Sequence, residues 1–282
     1  MSERTTTRRR QLGAMMRKLR ARKALTLEEA GRRVGVSKAT ISRYETQSGP
    51  VKWIVIDALC REYGATDVER QAVVRLAKEA KQQGWWSSFA DSIPESMNLL
   101  LTLENEAVRE SHFSCVYVPG LLQTRAYSMA VQKANEVPLQ QAEIERLVDI
   151  RMKRQNILSR PSPPHLWAIL DESVIRRVVG SPAVMREQLG RLLEATDSDS
   201  PITLQILPFS RGAHAAALGS FVIIGGPEPS LDVVYVDFHT GSLFLEKEEE
   251  LKRYRLAFEY LRAQALDMEA SSAMIHRARK EL

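Results

Sequence analysis

The sequence predicts an α+β protein in two parts: an all-α N-terminal domain over residues 1–83, and a larger α+β domain with a mixed sheet over residues 84–282. Three observations carry this. Apolar residues recur at three- and four-residue steps through the first eighty positions, the period of helices with one buried face. Beyond them, helical stretches alternate with short β-branched or aromatic runs, and the last such runs follow closely on one another, as in a strand meander. Between the two parts, "QGWWSSFADSIPES" (83–96) breaks the helical pattern with Gly, Ser and Pro, which places the boundary near Gly84.

The first helix is read from Leu12, Met15, Met16 and Leu19, with Arg17, Lys18, Arg20 and Arg22 around them. Thr26 is placed to cap a second helix whose buried stripe is Leu27, Ala30 and Val34, and Glu28 and Glu29 suit the positive end of its dipole. Gly35 ends that helix, since the turn calls for a residue that tolerates positive φ. Ser37 caps a third helix, and Val36 and Ile41 flank the cap as a hydrophobic staple, with Tyr44 continuing the buried side. Two helices joined by so short a turn form a helix-turn-helix unit. Gly31, midway along the first of the pair, gives up about 1 kcal/mol of helix propensity relative to Ala, and close crossing of the two helices explains its presence.

With Val36, Ile41 and Tyr44 inward, Lys38, Ala39, Ser42 and Arg43 face outward and Thr40 lies at the edge. These five are the expected base-reading residues: Arg and Lys suit guanine O6 and N7, Ser and Thr suit either partner, and Ala suits a thymine methyl. Arg17, Arg20, Ser37 and Lys52 are the expected phosphate contacts, which hold position without reading sequence. Charge agrees with this division. Residues 1–83 hold 19 Lys and Arg against 9 Asp and Glu, whereas residues 84–282 hold 21 against 26. A basic head on a mildly acidic body points to a polyanion at the head, and the partner expected is double-stranded DNA.

In the body, "SMNLLLTLENEAVR" reads as a helix, "SHFSCVYV" (111–118) as a strand, "PGLLQTRAYSMAVQKA" as a turn and helix, and "QQAEIERLVDIRMKRQNIL" as a long amphipathic helix. "PPHLWAIL" reads as a strand, "SPAVMREQLGRLLEAT" as a helix and "ITLQILPF" as a strand. "GSFVIIGG", "DVVYVDF" and "GSLFLE" follow as three more strands, and two helices close the chain from Glu248 onward. Residues singled out here as candidates for a partner or effector are Trp85 and Trp86 at the junction, Gln123 in the "PGLLQ" turn, and Arg211 and His214 in "PFSRGAH".

Two stretches resemble known proteins. "LTLEEAGRRVGVSKATISRYE" resembles the XRE family of helix-turn-helix repressors, which implies a five-helix bundle whose later helices fit "PVKWIVIDALCREYG" (50–64) and "DVERQAVVRLAKEAK" (67–81). Leu27 stands where that family often has a phosphate-binding Gln, so this one contact is not expected. "GWW", "VYVPGLLQTRAY", "RMKRQNIL", "LWAILDESVIRRVVG", "VMREQLGRLLE", "ITLQILPFSRGAH" and "DVVYVDFHTGSLFLE", in that order, resemble the actinobacterial WhiJ-type regulators, in which an XRE head is fused to a C-terminal domain of long-unknown function. The resemblance implies a transcriptional regulator connected with development, working with a small companion protein encoded nearby. It supplies no catalytic residue.

No catalytic activity, metal site or cofactor is expected. Asp171, Glu172, Asp237, His239 and Glu246 are available acids and imidazoles, but no nucleophile elbow, zinc-binding helix or phosphate-cradling Gly loop gives them a working spacing. Cys60 and Cys115 have no metal-ligand spacing. No apolar run approaches the length of a membrane span, and "MSERTTTRRR" has no apolar stretch behind it, so a cytoplasmic protein, on the nucleoid when bound to DNA, is expected. The expectation is a homodimeric, sequence-specific regulator, expected as a repressor, whose body receives a signal from a companion protein or a small-molecule effector. The alternatives are an antitoxin-like module that neutralises a small partner and regulates its own operon, and an enzyme with an attached DNA-binding head.

Overall fold

The computed structural model describes residues 7–46, 51–79, 93–134, 139–196, 200–216, 218–226 and 232–282. The chain divides into two compact units, Met1–Ser92 and Ile93–Leu282.

The first unit is helical throughout its described residues: α1 (Thr7–Arg22), α2 (Leu27–Arg33), α3 (Lys38–Thr46), α4 (Trp53–Glu62) and α5 (Asp67–Glu79). Leu12, Met16 and Leu19 of α1 meet Ala30, Ile41, Tyr44, Ile56, Leu59 and Tyr63 in one core, each buried, because every helix turns one apolar stripe inward. Met15, Leu27 and Val34 pack at its margin.

The second unit is built on a six-stranded sheet of order β3-β2-β1-β4-β5-β6. Its strands are β1 (Arg109–Ser114), β2 (His165–Asp171), β3 (Ile202–Leu207), β4 (Phe221–Gly225), β5 (Val233–Phe238) and β6 (Gly241–Leu245). The first three run parallel, and β4 to β6 pair antiparallel in a meander from β1 onward, so the sheet is mixed. The helices are α6 (Glu95–Glu106), α7 (Arg125–Lys133), α8 (Gln141–Arg154), α9 (Glu172–Arg176), α10 (Pro182–Glu194), α11 (Glu248–Gln264) and α12 (Met268–Lys280). Strand alternation sorts the two faces. Leu166, Ala168 and Leu170 of β2 join α10 and α12 in one core, while Trp167 and Ile169 face the core made with Leu251, Phe258 and Leu261 of α11. On β1 the alternation has a different content. Phe113 enters the α11 core, but Glu110, His112 and Ser114, all buried, face the other way.

The strand expected over residues 111–118 runs instead from Arg109 to Ser114, because its chain turns at Cys115–Tyr117 into the Pro119–Gly120 corner. The helix expected to run on to Arg109 stops at Glu106, where Ala107 turns extended. The short helix α9 is an addition to the sequence reading.

Candidate nucleic-acid interface

The α2–α3 pair is built by local rules. Thr26 caps α2 through Oγ1 to the Glu29 N–H, and the Glu29 carboxylate accepts from Thr26 N at 2.8 Å, a complete capping box. Gly35 sits at φ +71°, in the left-handed region that favours glycine. A methyl group on Gly31 would lie 2.5 Å from the Val36 carbonyl oxygen and 3.2 Å from the Ser37 carbonyl carbon, so the turn passes directly over this glycine. Val36 N–H donates to the Gly31 carbonyl at 2.8 Å, closing the same contact. Ser37 Oγ accepts from Thr40 N at 3.2 Å, Val36 packs on the core, and Ile41 is buried.

The solvent side of α3 carries Lys38, Ala39 and Arg43 exposed, with Thr40 and Ser42 half-buried. The polar groups are ordered rather than scattered. Ser37 Oγ and Thr40 Oγ1 lie 3.0 Å apart, and Arg43 Nη2 donates to Thr40 Oγ1 at 3.2 Å. This ladder runs from the cap to the guanidinium of the exposed Arg43. Such a helix, convex, polar and about one helix-diameter wide, has the dimensions of a DNA major groove, about 12 Å across.

The four residues expected at phosphates divide. Arg17 keeps an exposed side chain; it donates to the Glu45 carbonyl at 3.2 Å, and its Nε lies 3.9 Å from the Glu45 carboxylate. Lys52 is exposed at the N-terminal end of α4. Ser37 spends its oxygen on the α3 cap. Arg20, expected at a phosphate, instead places Nε and Nη2 on the Glu45 carboxylate at 2.6 and 2.7 Å and Nη1 on the Leu25 carbonyl at 2.7 Å. Glu45 is nearly inaccessible, so this pair ties α1 to α3 from inside. The Glu45 carboxylate raises the Arg20 pKa further, against the opposing effect of burial. Elsewhere in the unit, Glu69 is held well below the usual carboxylate range, at about 2, by Arg22 and by the Thr66 N–H. Asp57 is lowered by Arg70, and Glu29 by its bonds to Thr26.

In the second unit the singled-out residues do not converge. Gln123 is buried; its amide donates to the Val118 carbonyl at 2.7 Å and its oxygen accepts from Arg151 at 2.6 Å, so it braces the "PGLLQ" corner. His214 packs its ring 5.3 Å from Phe113 and accepts from the Ala216 N–H, while Arg211 is exposed. Trp85 and Trp86 lie outside the described residues. What the sequence did not single out is a buried polar layer between β1, α6 and α8. There Arg154 makes a two-pronged pair with Glu104, and Glu110 lies 2.8 Å from His112. Burial pushes both carboxylates up, to about 7, and the His112 imidazole down, to about 4. Among the described residues no group of three or more His, Cys, Asp or Glu could hold a metal ion, and no helix is long and apolar enough to cross a membrane.

Comparison with known families agrees with this division. Residues 11–73 match the family model described as a helix-turn-helix domain, and residues 97–277 match the model described as a domain of unknown function, DUF5753. No curated protein and no solved structure matches.

Proposed function

Because the chain belongs to the DUF5753 family and carries a helix-turn-helix domain, we propose that it is a sequence-specific DNA-binding transcriptional regulator of the XRE, WhiJ-like kind. The observation that carries this reading is the exposed face of α3, where Ser37, Thr40 and Arg43 form one hydrogen-bonded ladder beside exposed Lys38 and Ala39. Lys38, Ala39, Thr40, Ser42 and Arg43 read bases, and Arg17 and Lys52 hold phosphates. One such head covers few base pairs, so two copies act together on half-sites about one helical turn apart. The body receives the signal, from a companion protein or a small ligand, and biases the pair of heads toward or away from that spacing; the signal must bind one arrangement more tightly than the other.

Fluorescence anisotropy tests the reading on DNA from upstream of the protein's own gene and on a scrambled duplex, over a salt series. The proposal expects preference for the upstream DNA, with Arg17→Ala and Lys52→Ala each lowering the salt slope by about one. Equal, weak binding to both duplexes at every salt, together with failure to enrich any duplex from a random pool, would refute it.

A further inference from the structure

Helix α11 turns Leu251, Phe258 and Leu261 into the core against the sheet. Its other side is a stripe of exposed residues at three- and four-residue steps: Lys252, Arg253, Leu256, Glu259 and Tyr260. Leu256 is 53% exposed and Tyr260, one turn on, 57%. A lone exposed leucine on a surface helix is ordinary, so the neighbours of Leu256 decide what the stripe can do. Arg255, on the flank of the same helix, is held by the carboxylates of Asp232 and Glu248. Lys252 and Arg253 have no such carboxylate among the described residues. Glu259 bonds Arg262 of its own helix at 2.8 Å and still keeps an exposed side chain. The stripe therefore presents two cations, an aromatic ring and an accessible acid around one apolar side chain.

We propose that this face of α11 is where two copies of the chain pair, antiparallel about a two-fold axis at Leu256. In that arrangement each residue stands opposite the one about equally far on the other side of Leu256, and Leu256 meets its own copy. At 3.6 residues per turn, Lys252 and Glu259 fall on one flank of Leu256, and Arg253 and Tyr260 on the other. Each Lys252 then faces the Glu259 of the second copy, and each Arg253 faces a Tyr260 ring, a cation over an aromatic face. A parallel pairing would set Lys252 against Lys252 and Glu259 against Glu259, so charge selects the antiparallel one. The stripe holds both members of each pair, which is the mark of a contact between identical surfaces. A helix of 17 residues is about 25 Å long and 10 Å wide, a footprint well short of the about 1,200–2,000 Å² buried in a stable complex. The contact alone therefore makes a weak dimer, one that paired half-sites on DNA would reinforce. This deepens the regulatory reading by naming the surface that joins the two copies, yet the pairing itself is measurable without DNA.

The experiment is sedimentation velocity of the full-length protein across the micromolar range, without DNA. A reversible monomer–dimer equilibrium is expected. Leu256→Glu should be monomeric at every concentration and keep a cooperative thermal transition, since the side chain already stands in water. Lys252→Glu and Glu259→Lys, each acting twice across the two-fold, should each weaken the dimer by about tenfold. The double variant Lys252→Glu/Glu259→Lys puts opposite charges face to face again and should recover most of the wild-type affinity. These charge variants lie at exposed positions and serve if Leu256→Glu does not fold. A wild-type protein that stays monomeric throughout would overturn the proposal and leave the stripe to a different partner. A dimer that ignores Leu256→Glu, or a double variant no tighter than the single ones, would overturn it by placing the interface elsewhere. A dimer with the expected responses in a protein that shows no DNA preference would leave this surface standing and remove only the regulatory reading.

Discussion

Replacing Gly31 by Ala sets two physical effects against each other with opposite signs. Helix propensity alone predicts that Gly31→Ala stabilises α2 by about 1 kcal/mol. The structure predicts the reverse. The added methyl would meet the Val36 carbonyl oxygen at 2.5 Å, whereas carbon and oxygen settle at about 3.3 Å or more. The turn and α3 must therefore retreat from α2 by roughly 0.8 Å. The obstacle is backbone, so no rotamer change relieves it, and the 2.8 Å bond from Val36 N–H to the Gly31 carbonyl stretches as well. Overpacking of this kind costs about 1–3 kcal/mol; net of the propensity gain, Gly31→Ala should lose up to about 2 kcal/mol. For a domain of this unit's size, that lowers its melting temperature by up to about 15 °C. Differential scanning calorimetry of the full-length protein reads this directly. Gly35→Ala is the control: φ is +71° but no atom lies within 4 Å, so it should cost about 1 kcal/mol of backbone strain without moving α3. Below its melting temperature Gly35→Ala should keep wild-type sequence preference, and Gly31→Ala should lose it. A Gly31→Ala protein that melts higher than wild type would refute the close-crossing argument.

Breaking the α1–α3 tie is expected to unfold the head rather than merely weaken DNA binding. Glu45→Gln leaves Arg20 with a neutral partner in a nearly inaccessible site and should cost about 3 kcal/mol in urea melts of the first unit. Arg20→Ala should lower that same transition, whereas Arg17→Ala should leave it unchanged. The first unit should also lose stability in acid. Glu69, Glu29 and Asp57 all titrate lower in the folded protein than when unfolded, so their contribution is complete above about pH 4.5 and is lost as pH falls toward about 2. Melting temperature against pH checks this, and Glu69→Gln should flatten the slope. Lys38→Ala should cost about 1–3 kcal/mol on the preferred duplex and little on a scrambled one, measured by anisotropy.

The helical head was legible because its signals are local. Thr26, Gly31 and Ser37 each act on groups within ten residues of themselves, and a single sequence displays such spacing directly. The six strands of the mixed sheet were legible for the same reason, as short alternating runs between turns. What could not be read depends on distant partners. Arg17 and Arg20 are one helical turn apart and look alike; only the arrival of Glu45, 25 residues on from Arg20, commits Arg20 to the interior. The polar face of β1, with Glu110, His112 and Ser114, looks like a solvent-facing strand side until α6 and α8 cover it. Arg151 and Arg154 stand in "RMKR", which reads as the ordinary basic last turn of a helix. Burial of Arg154 against Gly120 and Glu104 is a tertiary fact, and the interlocking of "RMKRQ" with "PGLLQ" gives both motifs a physical role.

The most direct test of the central claim is selection of binding duplexes from a random double-stranded DNA pool by the full-length protein and, in parallel, by Arg43→Ala. The wild-type protein is expected to enrich one motif, arranged as two half-sites about ten base pairs apart. Arg43→Ala is expected to lose discrimination at one defined position within each half-site. Enrichment of no motif, or of the same motif with undiminished discrimination by Arg43→Ala, would contradict that claim.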